Sequence, residues 1–383
     1  MSPVDGKLAV IVPTRNRSAY VRRLLSYYAG YDFKCPILVG DSSEGQERQR
    51  TARMVQFFSR TLEVSHQIFP LNSGIYETSY RLAEAASTPY VAMLGDDDFL
   101  VPRGLEEAVN FLEGHPEYSV AHGMAGLIKL SSPGPYGAVE WVAPYPRYSI
   151  EQTQAGRRLA EHMIRHQSIA FSVQRREAFL TSFREAIALG LDLEFSELLT
   201  GFLNAIWGKT KQLDCLYMMR QTHEQMTSAR GRGAFGWITG STASIQYERF
   251  RDSLARELRC REKISLEQAR ETVKRAFWSY LVRTLEIKWC KHYGLKKQST
   301  QPRWRQILRG VPGLRRGWRR INEMLPRKAN EISLLSLLRP SCRYHADFMP
   351  IYRAVTQPAS SIEGTMEPRG LLVSGSVPAG GAL

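Results

Sequence analysis

The chain has 383 residues, long enough for two or three domains, and its 43% hydrophobic and 23% charged content excludes a wholly disordered or collagen-like protein. Lysine and arginine number 52 against 37 aspartates and glutamates, a formal net charge of +15. Residues 241–383 hold 27 basic and 12 acidic residues, the whole excess, whereas residues 1–240 hold 25 of each. Contact with a polyanion or an anionic membrane is therefore expected of the second part alone.

Five scattered cysteines without a CxxC pair argue against a disulfide framework and a zinc site, and suit a reducing compartment. The N-terminus lacks a basic segment followed by an apolar one, and no run approaches the roughly 18–20 apolar residues of a spanning helix. The expected location is the cytoplasm, with peripheral attachment to the inner face of the membrane.

In chain order, Leu8 to Val12 is a continuous apolar run of strand length, as in a strand buried on both faces. The polar loop Pro13-Thr14-Arg15-Asn16-Arg17 follows. Ser18 is placed to cap a helix with apolar positions Val21, Leu24, Leu25 and Tyr28 at helical spacing. Pro36 to Gly40 reads as the next strand and ends at Asp41-Ser42-Ser43. Helices are expected over 46–60 and 73–86, with a strand over 63–69 between them. Pro89 to Leu94 is another buried strand, running straight into Gly95-Asp96-Asp97-Asp98, and Leu105, Ala108, Val109 and Leu112 mark the helix after it. This alternation predicts an α/β fold with a mostly parallel sheet and helices on both faces. Ligands of such sheets bind beyond the carboxyl ends of the strands, where Asn16, Asp41 and Asp96 to Asp98 all fall.

Residues 131–150, rich in Pro, Gly and Tyr, read as a loop or irregular hairpin. Between 151 and 230 helices are expected around one strand, Ser168 to Val173. The stretch Ala229 to Ser244 is the expected boundary. Beyond it Leu266, Ala269, Val273, Phe277, Leu281, Leu285 and Trp289 mark a long helix. The expected division is a catalytic domain over 1–230, a basic helical region over 231–356 and a disordered tail over 357–383.

Three adjacent carboxylates at a strand end repel one another unless a cation neutralises them. A hard divalent ion with oxygen ligands does so and keeps positions for substrate phosphates. An acidic turn favoured by the dipole of the following helix is the simpler alternative.

The ordered set Ala9-Val-Ile-Val-Pro13-Thr14-Arg-Asn16-Arg, Ile37-Leu-Val-Gly-Asp41-Ser-Ser, Asn72-Ser-Gly74 and Met93-Leu-Gly-Asp-Asp-Asp-Phe-Leu100 resembles the nucleotide-binding half of family 2 glycosyltransferases, which have the Rossmann-like GT-A fold. The likeness continues through Ala170 to Leu180 and Met219 to Ser228. It implies an inverting, metal-dependent transferase that takes a nucleotide sugar, a UDP-sugar first of all, and acts on a glycan or lipid-linked acceptor in surface polysaccharide synthesis. By the same resemblance Asp41 accepts a hydrogen bond from the donor's base, Pro13, Thr14 and Asn16 surround the nucleotide, and Asp96 lies towards the ribose. Asp97, with Asp98 as its alternative, would hold Mn²⁺ or Mg²⁺; Arg220 and His223 would close over the diphosphate, His223 as a further metal ligand. Gly95 stands where the family's D-x-D-D motif has its first aspartate.

Inversion needs a general base for the acceptor hydroxyl. Its candidates are Glu197, then Glu194 one helical turn away, then Asp192; the family's Glu-Asp doublet is absent. Residues 301–330 interleave nine Arg and Lys with Trp304, Trp318 and six aliphatic residues against the single acid Glu323. That pattern suits an anionic membrane surface or a solvated helical subdomain, and without a nucleic-acid-binding motif it argues against nucleic acid as the partner. A nucleotidyltransferase and a non-catalytic scaffold are the competing functions. The first usually begins with a Gly-rich phosphate loop, which Pro13 to Arg17 is not.

Overall fold

A computed structural model describes residues 4, 6–223, 233–294 and 332–357. The basic stretch 301–330, Glu224 to Ser228 of the expected closing segment and the tail from 358 lie outside the described residues.

The first half is the expected alternation. Strands β1 (Leu8–Thr14), β2 (Ile37–Asp41), β3 (Val64–Ile68) and β4 (Tyr90–Met93) pair in parallel in the order β3-β2-β1-β4. Their connections are α1 (Ser18–Ala29), α2 (Gly45–Phe58) and α3 (Ile75–Ala85). The continuous apolar runs follow from coverage of both sheet faces. Leu8, Val10 and Val12 enter one core with Val21, Leu24 and Tyr28 of α1, while Ala9 and Ile11 enter a second with Leu82 and Ala83 of α3. Arg17, not Ser18, is the N-cap of α1. The Ser18 hydroxyl instead donates to Glu47 of α2 at 2.8 Å.

The second half is mixed. It contains β5 (Phe99–Leu100), α4 (Pro102–Gly114), β6 (Tyr118–Leu130), β7 (Val139–Tyr145), α5 (Ala155–Ile164), β8 (Val173–Arg175), α6 (Arg176–Ala188), α7 (Leu193–Trp207) and β9 (Lys209–Thr222). The nine-stranded sheet runs β3-β2-β1-β4-β8-β6-β9-β5, with β7 added to β6. Residues 209–222, expected among helices, form a strand parallel to β6. The strand expected over 168–173 starts only at Val173, because the Ser172 amide turns back to the Ile169 carbonyl. Residues 139–145 supply the pairing edge of the expected hairpin.

Three further helices, α8 (Gly233–Ile238), α9 (Ala243–Glu262) and α10 (Leu266–His292), follow. Ser265 and Gln268 start α10 with a capping box, which satisfies two otherwise orphaned amides. Phe250 and Leu254 of α9 and Val273 and Phe277 of α10 share a core with Leu159 of α5 and Phe195 and Phe202 of α7. That core therefore draws on both sides of residue 230. Short α11 (Leu334–Leu337) and α12 (His345–Thr356) return to the first core through Leu337, Phe348, Ile351 and Val355.

Helix α4 lies directly on the backbone of β9. A Cβ at Gly104 would sit 2.6 Å from the Leu216 carbonyl oxygen and 2.9 Å from the Tyr217 Cα. On helix propensity Gly104→Ala would gain at most ~1 kcal/mol. Pushing α4 off a packed strand costs about 1–3 kcal/mol, so a net loss of stability is expected from urea unfolding. A higher midpoint for the variant would show that this contact yields freely.

Candidate active site at the strand ends

The ends of β1, β2 and β4 lie side by side at one edge of the sheet, and the predicted residues of the first half collect there. Asp96 and Asp98 are buried just beyond β4. The Thr14 hydroxyl donates to Asp96 Oδ2 at 2.6 Å. The Arg17 guanidinium bridges two carboxylates from one nitrogen, at 2.9 Å to Asp96 Oδ1 and 2.7 Å to Asp97 Oδ2. From β9, Arg220 Nε donates to Asp98 Oδ2 at 3.1 Å and the Gln221 amide to Asp98 Oδ1 at 3.0 Å. His223 Nε2 lies 2.8 Å from Asp97 Oδ2. Arg23, buried on α1, donates to the Asp97 carbonyl at 2.7 Å.

Protonation follows from these partners. Burial pushes Asp96 up to about 6, helped by repulsion from Asp97 and opposed by Arg17. Burial pushes Asp98 up to about 7 against the pull of Arg220. Asp97 is half-buried, and although desolvation opposes its charge, hydrogen bonding to His223 and the charge of Arg17 hold it down at about 2. Of the three, the middle aspartate holds its negative charge most strongly.

Asp41, at the end of β2, is fully buried. Its Oδ1 accepts the Ser43 amide at 2.7 Å and its Oδ2 lies 3.1 Å from His66 Nε2 on β3. Burial alone would raise this carboxyl, and the bonds from His66 and Ser43 lower it instead. Asn16 takes a left-handed backbone, φ 53°, which Asn tolerates better than most residues. Its amide donates to Ser43 Oγ at 2.7 Å and its Oδ1 accepts from the Glu44 amide at 3.2 Å. The loops after β1 and β2 are thereby tied together beside Asp41, with Pro13 paired to Gly40 at their base.

The candidate bases stand apart from this cluster. Asp192 is the N-cap of α7, its Oδ1 accepting from the Phe195 amide at 2.9 Å. Glu194 and Glu197 are half-buried on the same helix. Behind the effect of burial, their charges raise the hydroxyls of Tyr76 on α3 and Tyr280 on α10, which they face. Among the described residues no hydrogen bond joins them to the aspartate triplet.

Arg17, Arg23 and His66 carry structural roles at the site that the sequence reading did not assign. Arg17 was part of the motif, and a cation in the loop facing an acidic triplet is the signal that could have singled it out. Arg23 interrupts the apolar face of α1 between Tyr20 and Leu24, the mark of a buried charge with partners. His66 had no such signal.

Asp97 and His223 offer the donor types that Mn²⁺ or Mg²⁺ binds, a carboxylate oxygen and an imidazole nitrogen, but Asp97 Oδ2 accepts from Arg17 and lies against His223 Nε2, so an ion there would have to displace those contacts. Asp98 does not fit as a ligand while Arg220 and the Gln221 amide take both its oxygens. No group of three or more His, Cys, Asp or Glu able to hold a metal occurs among the described residues.

No protein-family model and no curated protein matches the chain. Solved structures do match. S. aureus TarS 1-349 in complex with UDP-GlcNAc is 18% identical at a TM-score of 0.50, over 91% of this chain and 90% of that one. S. aureus TarS 1-349 is 16% identical at 0.48 over the same shares. The fold is GT-A-like. It is the α/β class expected from the sequence, with a helical C-terminal part.

The Arg220–Asp98 pair has a pH signature. A carboxyl raised in the folded state above its unfolded value loses stability as pH rises, until it passes the folded pKa. With Arg220 in place that loss ends near pH 7, given the pKa of Asp98. Arg220→Met removes the opposing cation and carries the loss to higher pH, by about 1.4 kcal/mol per pH unit. The double variant Arg220→Met/Asp98→Asn should lack this slope. Parallel pH profiles for wild type and Arg220→Met, from urea unfolding, would count against the pairing.

Proposed function

We propose that the protein is a glycosyltransferase that moves a sugar from a nucleotide-sugar donor, a UDP-sugar first of all, to a glycan or lipid-linked acceptor. The observation that carries this reading is the Asp96–Asp98 triplet at the end of β4, its outer two members buried, met by arginines from the β1–α1 loop, α1 and β9, on the same sheet edge as Asp41. Support comes from a fold shared with a protein crystallised with UDP-GlcNAc. Surface polysaccharide synthesis on the inner face of the membrane is the setting this reading favours, and the catalytic unit is assigned to residues 1–230, followed by the basic helical region.

Asp41, fixed by Ser43 and His66, accepts an N–H of the donor's base. Pro13, Thr14 and Asn16 form the rim around the nucleoside, with Asp96 towards the ribose. The leaving diphosphate develops negative charge as the glycosidic bond breaks. Arg17 and Arg220, already directed at the carboxylates, lie at hand to receive it, and preorganised cations of this kind lower such barriers. When bound at Asp97 and His223, Mn²⁺ or Mg²⁺ supplies further neutralisation of that charge. Glu197 takes the proton of the acceptor hydroxyl as its oxygen attacks the anomeric carbon, with Glu194 as the alternative. A single displacement of this kind inverts the anomeric centre, as in family 2.

Binding comes first among the tests. A ligand held by the native state alone raises its melting temperature, by about 2.7 kcal/mol of stabilisation at a hundredfold excess over Kd. In a panel of UDP, GDP, CDP, ADP and TDP with and without Mn²⁺, UDP with Mn²⁺ should give the largest shift. Asp97→Ala should remove the metal-dependent part. Folded protein indifferent to every diphosphate would refute the donor assignment.

The base is tested separately. Glu197→Gln should keep donor binding and lower transfer by about 10²–10⁴-fold, the usual contribution of a positioned base. Full activity in that variant would move the role to Glu194 or elsewhere.

A further inference from the structure

Helix α10 carries two apolar faces. Ala269, Val273, Phe277 and Leu281 are buried in the helical core. Trp278, Val282 and Trp289 are 54%, 62% and 45% exposed, and their spacings of four and seven residues put them on one side of the helix. Tyr293, just past the helix end, extends the stripe with its ring 4.9 Å from that of Trp289, and exposed Phe235 of α8 adds a ring 5.3 Å from Trp289 on the other side. Exposed apolar side chains gathered on one side of a helix mark an interaction site, here with the exposed Glu286 in the turn between Val282 and Trp289.

Charge decides the partner. Residues 271–297 hold seven basic residues against Glu271 and Glu286, and residues 301–330 add nine against one. A second copy of the same face would bring like charges together. An anionic lipid surface offers opposite charge and an apolar layer for Trp, Val and Tyr, side chains suited to the interface between lipid and water. Among the described residues no helix is long and apolar enough to cross a membrane, so α10 would lie along the surface.

We infer that the Trp278–Val282–Trp289–Tyr293 stripe of α10 docks on an anionic lipid bilayer. The inference does not depend on the reaction the protein catalyses. The full chain should cosediment with phosphatidylcholine vesicles that contain phosphatidylglycerol, far less with pure phosphatidylcholine, and less again as salt is raised. Trp278→Ser/Val282→Ser/Trp289→Ser should weaken that binding about tenfold or more, given the apolar area removed. Val282→Asp, at an exposed position where folding is little affected, should weaken it severalfold and serves if the triple variant misfolds. Absence of vesicle binding by the wild type, or equal binding by folded variants, overturns the inference. So does a dimer in sedimentation velocity that the substitutions dissociate while vesicle binding stays the same, since the stripe would then join two copies.

Discussion

The demand that shapes this structure is charge balance around three consecutive aspartates. At 4 Å two like charges repel by about 4 kcal/mol even at an effective dielectric constant of 20, and Asp96 and Asp98 are both buried. The chain answers with donors from separate segments: the cations Arg17 in the β1–α1 loop, Arg23 within α1 and Arg220 on β9, and the imidazole of His223 just past the end of β9. Each can reach only if its element is seated. Strand β9 comes close to β6 because Gly123 and Gly126 face it; a Cβ at Gly123 would lie 2.5 Å from the Cys215 carbonyl oxygen. Arg23 in turn is so fully buried that desolvation lowers its pKa to about 10, and the Asp97 carbonyl, Gln221 and the Pro135 carbonyl hold it. Removing one member of such a network leaves a buried charge without its partner, a larger loss than the pair was worth.

The same balance prepares the site for an anionic ligand. A guanidinium shared between two carboxylates, as Arg17 is, can exchange one of them for a phosphate oxygen of similar geometry. Asp97 is the aspartate whose carboxyl is lowered, and it is also the one joined to His223. In the proposed reaction the triplet thus acts less as a bare acidic patch than as an anchor that keeps cations aligned. Asp41, on the neighbouring strand, is held just as firmly by Ser43 and His66; because it is fully buried, a group that covers it has to move before its carboxylate can meet a base.

Legibility in the sequence followed burial. Strands β1, β2 and β4 are covered on both faces, so they appear as unbroken apolar runs with acidic or polar residues at their ends, and the placing of Asp41 and Asp96–Asp98 followed. Strand β9 begins Lys-Thr-Lys-Gln and continues into Leu-Tyr-Met-Met, a run whose residues suit a helix as well as a strand; only pairing with β6 distinguishes them. The run Ser168 to Val173 resembled a strand, but only its last residue is one, as the Ser172 amide is used in a turn. The pairs made by Arg17 and Arg220 join residues about eighty and a hundred and twenty positions apart, which no local pattern encodes. Asp192, the third candidate base, also caps α7 through its bond from the Phe195 amide.

The helical core explains why the C-terminal helices belong with the candidate base. Glu194 and Glu197 of α7 lie near enough to Tyr76 of α3 and Tyr280 of α10 for their charges to add to the effect of burial on both hydroxyls. The apolar residues Phe195, Leu198 and Phe202 of α7 share a core with α9 and α10, so the orientation of both glutamates depends on residues beyond 240. Phe277 and Leu281 bind α10 into that core, while Trp278 and Val282, each one position further on, look to solvent. Helix α10 therefore packs through one face on the helix that carries the proposed bases, while its other face holds the stripe proposed to rest on lipid.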